Sequence, residues 1–373
     1  MEIHTVITDY RRVGDLLIAF SEDSDILPRG KRTQSRLSLY QPHIDIDPSL
    51  FHVPDDLKKD FTFQEGSKAE EIPFLFSENN IYLPVTIKGE TRWWILDSGA
   101  SKSVIDAGYA KELGLTQEGA ITGFGFGDTF DLSFVRLPSF SVDTVRMNPQ
   151  KIFVFTDFTE NHGEPPAAGI LGYDFLSRFV TKIDYAEKRI SFYDPESFTY
   201  RGNGTIIDAP LKYRTFTAPV LVDGKLSGNW SIDLGATDTQ FHFQFAEKNN
   251  LFDRQGVVTA RAGMSGIFFS RIVQFDSFAI GNFCIKKPLL TFPLKKGKGS
   301  SAIGEQAGNI GNSILSHFIL YLDYKKQQIV LEKGKNFNRQ APREKSGMVI
   351  GYTKEDGSPM VSFVANGTPA EVA

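Results

Sequence analysis

Trp93-Trp94-Ile95-Leu96-Asp97-Ser98-Gly99-Ala100 is a short apolar strand that stops at a carboxylate and turns at once. Trp230-Ser231-Ile232-Asp233-Leu234-Gly235-Ala236 repeats the pattern later in the chain. Each stretch has what a buried carboxylate on a tight turn requires. A strand delivers the acid, the next residue turns sharply, and a glycine lets backbone N–H groups approach the carboxylate oxygens with no Cβ in the way. Asp and Gly are also ordinary turn formers, so one copy alone reads as a turn as easily as a site. Two copies at matching places point to two half-sites that each bring one carboxylate to a shared cleft. Carboxylates a few Å apart cannot both ionise cheaply, so such a pair holds one proton between them. Its ionised member can take a proton from a trapped water while the other polarises an amide carbonyl, without metal or covalent intermediate.

The repeat extends well beyond these two stretches. Pro84, Val85 and Gly89 are matched by Pro219, Val220 and Gly224, and Gly125, Val135, Ser139 and Phe140 by Gly263, Val273, Ser277 and Phe278. Further on, Gly172, Leu176, Phe179, Asp184, Tyr185 and Ile190 are matched by Gly311, Leu315, Phe318, Asp323, Tyr324 and Ile329. The order is kept and the interval lengthens slowly, as small insertions after an internal duplication would make it. Within each half, short alternating segments lie between Gly, Pro, Asp and Asn, as at 81–88, 151–155, 189–193 and 328–331, which predicts a mostly β fold. Short helices are expected at 106–113, stopped by Gly114, and at 243–250, with further helical turns at 173–178 and 312–317. The expected division is a β-rich N-terminal segment at 1–62 with strands over 5–12, 16–20 and 35–40, then lobes at 63–200 and 201–335. A linker and an incomplete domain follow at 336–373.

At 373 residues the chain is long enough for two or three domains, and 32 phenylalanines make aromatic packing a large part of any core. A net charge of −4, with Lys and Arg scattered, leaves no footprint for nucleic acid. The short basic run Lys295-Lys296-Gly297-Lys298 reads as a solvated loop. Cys284 is the only cysteine, and the six histidines show no His-Glu-x-x-His spacing, so metal-dependent hydrolysis is poorly supported. No metal or organic cofactor is expected. No apolar run reaches the roughly 18 residues of a membrane span, and Met1-Glu2-Ile3-His4 does not resemble a signal peptide.

On Leu96-Asp97-Ser98-Gly99-Ala100-Ser101 with Ile170-Leu171-Gly172, the chain resembles a single-chain, retropepsin-like aspartic peptidase, its half-site doubled as in pepsin-type enzymes. The resemblance covers residues 70–335 and implies a bilobal acid-protease fold, two homologous β-rich lobes with a cleft between them. It implies an aspartic endopeptidase whose catalytic dyad is Asp97 and Asp233. Ser98, Gly99, Ala100, Leu234, Gly235 and Ala236 would support the catalytic loops, and Ile170, Leu171, Gly172, Ile310 and Gly311 the strands beneath them. Glycine-rich hairpins carrying Gly125, Phe126 and Gly127, and Gly263 and Met264, would be flaps over an extended peptide. The implied substrate is a peptide or unfolded protein, and the enzyme would act as a monomer. The flanks add looser likenesses. Asp9-Tyr10-Arg11, Gly14 and Leu50-Phe51-x-Val53-Pro54 resemble the last strands of a lipoprotein-carrier-like half-barrel. Gly347-Met348-Val349-Ile350-Gly351 and residues 364–373 resemble the opening half of a PDZ domain, as in bacterial envelope members of the family, which implies an extracytoplasmic setting.

Two departures from the family pattern carry physical weight. Leu234 stands where a Thr or Ser hydroxyl usually bonds across to the other lobe, a role that Ser98 keeps. A dyad with half its lock missing is less preorganised, and a catalytically inactive peptide-binding or scaffolding protein of the same fold is the alternative. Ala100 and Ala236 replace the hydroxyl residue that pepsin-like enzymes usually carry there. Losing a hydrogen bond to the charged form raises a carboxyl pKa, which predicts a less acidic activity optimum than that of pepsin-like enzymes.

Overall fold

Strands dominate the chain because buried and exposed positions alternate along most of its segments. The computed structural model describes residues 2–27, 31–48, 59–156, 165–263, 266–299, 306–337, 339, 346–352 and 358–373. Residues 1–59 and 60–373 form two separate units. In the first unit, Glu2–Val13, Leu16–Leu27 and Lys31–Arg36 form an antiparallel meander, with Val13 opposite Leu16. The third strand departs from the expected 35–40. Pairing sets Ile26 opposite Lys31 and Ser21 opposite Arg36, so a polar segment with no apolar alternation becomes the strand. Partner geometry decided there, not local pattern. The stretch 50–54 of the half-barrel pattern lies outside the described residues.

The second unit is built on two large sheets that share one strand order. In the first, neighbours run Glu118–Phe124, Thr129–Leu137, Gln150–Phe155, Val104–Asp106, Gly169–Leu171, Glu90–Leu96, Asn80–Ile87, Phe140–Val142, Val145–Met147 and Phe61–Phe63. In the second they run Val257–Gly263, Gly266–Gln274, Leu289–Pro293, Gln240–Phe241, Gly308–Ile310, Leu226–Ile232, Thr215–Val222, Ser277–Ile280 and Phe283–Lys286. Only Phe61–Phe63 lacks a counterpart among the described strands on these paths. A six-stranded antiparallel sheet ties the two lobes together: Val180–Asp184 pairs with Phe318–Asp323, placing Ile183 opposite Leu320.

One continuous apolar core runs through both lobes. Trp94 and Trp230 are fully buried and occupy matching places, each closing on a glycine of the neighbouring strand. A Cβ added to Gly169 or Gly308 would lie 2.6 Å from an indole carbon, so neither position admits a side chain. Burying a large apolar side chain contributes about 1.5–3 kcal/mol, and this packing fixes the strands that carry the site. The short helices stand where expected, at Ala107–Glu112, Tyr173–Leu176, Phe243–Lys248 and Asn312–Leu315. The Asp106 carboxylate caps the first by accepting from the Tyr109 N–H at 2.9 Å, and Gly114, at φ +69, ends it. Near the C-terminus, Met348–Tyr352 pairs with Pro359–Val364, and the Phe363 ring lies 5.6 Å from Phe269. Among the described residues no helix is long and apolar enough to cross a membrane.

Candidate active site

Each aspartate is delivered by a strand that pairs in parallel with a short buried neighbour. Ile95 lies beside Ile170, and Ser231 beside Asn309. The Asp97 N–H donates to the Leu171 carbonyl and the Asp233 N–H to the Ile310 carbonyl, both at 3.0 Å. The loops that follow rest on the same neighbours. Tyr173 N–H donates to Ala100 O at 2.9 Å, and Asn312 N–H to Ala236 O at 2.8 Å. Gly172 and Gly311 lie where these strands pass beneath the loops. A Cβ would stand 2.9 Å from Ala100 O in the first and 2.5 Å from Ala236 O in the second.

The two loops meet face to face. A Cβ on Gly99 would sit 2.5 Å from Asp233 Oδ1, and one on Gly235 would collide with the Asp97 carboxyl group. Each glycine is therefore the opening through which the other lobe's carboxyl group approaches. Each carboxyl group shifts the titration of the other. Asp97 Oδ1 also accepts from the N–H groups of Gly99 at 2.7 Å and Ala100 at 3.0 Å, and Asp233 Oδ1 from Gly235 N–H at 3.1 Å.

Ser98 Oγ, fully buried, donates to the Ile232 carbonyl at 2.8 Å and accepts from the Leu234 N–H at 3.0 Å, bridging the lobes directly beneath the carboxyls. Leu234 is also fully buried and its side chain returns no such bond. Asn312 supplies part of the tie in its place. Its Nδ2 donates to the carbonyls of Leu234 and Asn79, each at 2.7 Å, while its Oδ1 accepts from the Tyr185 hydroxyl at 2.7 Å. Sequence reasoning passed over Asn312; the available signal was a polar residue directly after Gly311.

Asn309 is a second residue that sequence reasoning valued only as a lost apolar position. Its Nδ2 donates to Asp233 Oδ2 at 2.9 Å, so the second carboxylate has the side-chain donor that Ala236 does not provide. Asn309 Oδ1 lies 3.0 Å from Ser231 Oγ, whose single proton it shares with Gln306 Oε1 at 3.1 Å, and 2.9 Å from His242 Nε2.

The hairpin of Glu118–Phe124 and Thr129–Leu137 reaches the other lobe. Phe126 at its tip has its ring centroid 5.7 Å from both His242 and Phe268. The Gly127 carbonyl accepts from the N–H groups of Lys298 at 3.0 Å and Gly299 at 3.1 Å, and Gly125 N–H closes the turn onto Asp128 O at 2.9 Å. The basic run of Lys295, Lys296 and Lys298 keeps its side chains exposed, as a solvated loop should, while its backbone holds this tip. In the second hairpin Gly263 pairs with Gly266, and Met264 lies outside the described residues.

Both aspartates keep some surface open to solvent, yet protein surrounds their carboxyl groups, and burial raises both pKa values. For Asp97, N–H donation, led by Gly99, opposes the rise; for Asp233 the nearby Asp97 charge adds to it, and the value goes well above the usual carboxylate range. Folded-state values above those of the unfolded chain mean that the folded form binds more protons. The pair's stabilising contribution is therefore complete below about pH 4, the unfolded carboxyl range, and is lost as pH rises through the folded values. Asp233→Asn removes the second charge. The denaturation midpoint of the parent should fall relative to that of the variant between pH 4 and 7, and parallel curves would contradict the shift.

Three comparisons bear on this geometry. A family model described as aspartyl protease matches residues 83–175, which include Asp97 and Gly169–Leu171 but end before Asp233. No curated protein matches the chain. Among solved structures, the aspartic proteinase from Irpex lacteus is similar, at 13% identity and a TM-score of 0.48, over 74% of this chain and 100% of that one. The segment that carries the first carboxylate loop is thus similar in sequence to aspartyl proteases.

Proposed function

We propose that this chain is an aspartic endopeptidase whose dyad is Asp97 and Asp233. The observation that carries the reading is the reciprocal packing at the seam, where Gly99 faces the Asp233 carboxyl and Gly235 the Asp97 carboxyl. A buried pair holding one proton is equipped for both halves of amide hydrolysis. The ionised carboxylate takes a proton from water as the oxygen adds to the carbonyl carbon, and the protonated carboxyl gives its proton to the carbonyl oxygen. Collapse then returns a proton to the departing amine nitrogen. The pair titrates as one unit, so neither residue alone owns the proton. Internal duplication accounts for the shared strand order and for both half-sites lying in one chain. The hairpin carrying Gly125, Phe126 and Gly127 acts as a flap that must lift for an extended peptide or unfolded segment to enter.

The alternative, a peptide-binding protein without chemistry, draws on Leu234, whose side chain gives no counterpart to the Ser98 bridge. A statine-type peptide, which mimics the tetrahedral intermediate, separates the two readings. For the peptidase, calorimetry should show tight binding that Asp233→Asn abolishes. Binding of the same strength to parent and variant would favour the alternative.

A further inference from the structure

The surroundings of the two carboxyls differ between the lobes. Behind Asp97 the strand positions are Ile95 and Ile170, which belong to an apolar cluster. The corresponding positions behind Asp233 are Ser231 and Asn309, both largely buried. His242 backs Asn309 from the start of Phe243–Lys248, the place that Asp106 holds in the first lobe. One polar side chain, Asn309, thus reaches the Asp233 carboxylate with two more behind it, where the matching strand positions behind Asp97 are apolar. Buried polar groups carry a desolvation cost that an apolar residue would avoid, so a set confined to one lobe needs a reason.

We propose that Asn309, held in orientation by His242 and Ser231, is a positioning residue that fixes the Asp233 carboxylate and stabilises its charged form. This rests on the peptidase reading above. The bond directions follow from the acceptors. A carboxylate oxygen can only accept from Nδ2, which turns Oδ1 away toward Ser231 Oγ and His242 Nε2. Because Asn309 Oδ1 can only accept, His242 Nε2 is the donor of that pair; burial lowers the ring's pKa, which favours its uncharged form, and Nδ1 has no partner among the described residues. Without His242 the Asn309 amide could rotate and present oxygen to oxygen at Asp233. The Phe126 ring of the flap rests on the His242 ring, so a closed flap holds this assembly in place.

Asn309→Ile tests this, since isoleucine already occupies the matching position of the first lobe. Losing a hydrogen bond to a charged group should lower kcat about 10- to 100-fold, with KM changed far less. The acidic limb of the pH–rate profile should also move to higher pH. The ionisable groups around Asp233 are Asp97 across the seam with Tyr324 beyond it, His242 behind Asn309, and Asp238 further along the same loop, paired with Arg261 of Val257–Gly263. None of them is altered by the substitution. His242→Leu should reproduce part of the loss and His242→Gln, which keeps a donor at the Nε2 position, should restore activity. That second pair carries the test if Asn309→Ile does not fold. Unchanged kcat and acidic limb in a folded Asn309→Ile, or equal activity of His242→Leu and His242→Gln, would overturn the assignment while the peptidase reading stands. A parent protein that cleaves no peptide would instead overturn the peptidase reading, and the assignment with it.

Discussion

Asp97→Asn should abolish cleavage of an unstructured peptide and leave the fold intact. The amide has nearly the shape of the carboxyl group, and its oxygen can still accept from the N–H groups of Gly99 and Ala100. What disappears is the exchangeable proton. An Asn cannot act as a general base toward water, nor alternate between donor and acceptor as the intermediate collapses. General acid–base catalysis supplies about 10²- to 10⁴-fold, and the loss in kcat/KM should reach at least that range because one residue serves both steps. Asp233→Asn should be equally damaging, since the two share one proton. Fold integrity is read separately: the variant should unfold at a midpoint no lower than the parent's at pH 7, because one of two buried ionisable carboxyls has been replaced by a neutral amide. Cleavage at the parental rate by Asp97→Asn would end the dyad mechanism.

The strands carrying Asp97 and Asp233 were legible because they announce themselves locally. An apolar run, an acid and a glycine make a pattern within eight residues, and its recurrence ties two distant segments together. The helix at Ala107–Glu112 was legible for the same reason, through a local cap and stop, and that at Phe243–Lys248 through its matching place in the repeat. Residues whose meaning comes from a partner far along the chain stayed silent. Asn309 reads as a flaw in an apolar strand until parallel pairing sets Gly308–Ile310 beside Leu226–Ile232 and turns its amide toward Asp233. Asn312 reads as a helix-start residue until Tyr185 and Asn79 arrive from the other lobe. Lys31–Arg36 has no strand signature of its own; it is a strand because Leu16–Leu27 offers an edge. Leu234 is the intermediate case. Its missing hydroxyl was visible in the sequence, but the compensating bond from Asn312 to its carbonyl was not.

Ser98→Ala should be the most destabilising single-atom deletion in the seam. One oxygen serves two backbone groups of the opposite lobe, and both lie where water cannot replace it. Removing it strands the Ile232 carbonyl and the Leu234 N–H together. A buried group left unsatisfied costs about 1–3 kcal/mol, so a combined loss of about 2–4 kcal/mol is expected, read from the denaturant midpoint at constant slope. Because Leu234 offers no reciprocal hydroxyl, the Asn312 amide, further from the carboxyls along the chain, is left to tie the loops to the other lobe. Activity should therefore fall further than stability alone dictates, as the separation of the carboxyls is no longer fixed. Ser98→Thr keeps the hydroxyl and should retain both properties within a few-fold. If Ser98→Ala unfolded at the parental midpoint, the bridge would be contributing little, and the lobes would have to be held in register by the shared sheet and Asn312 instead.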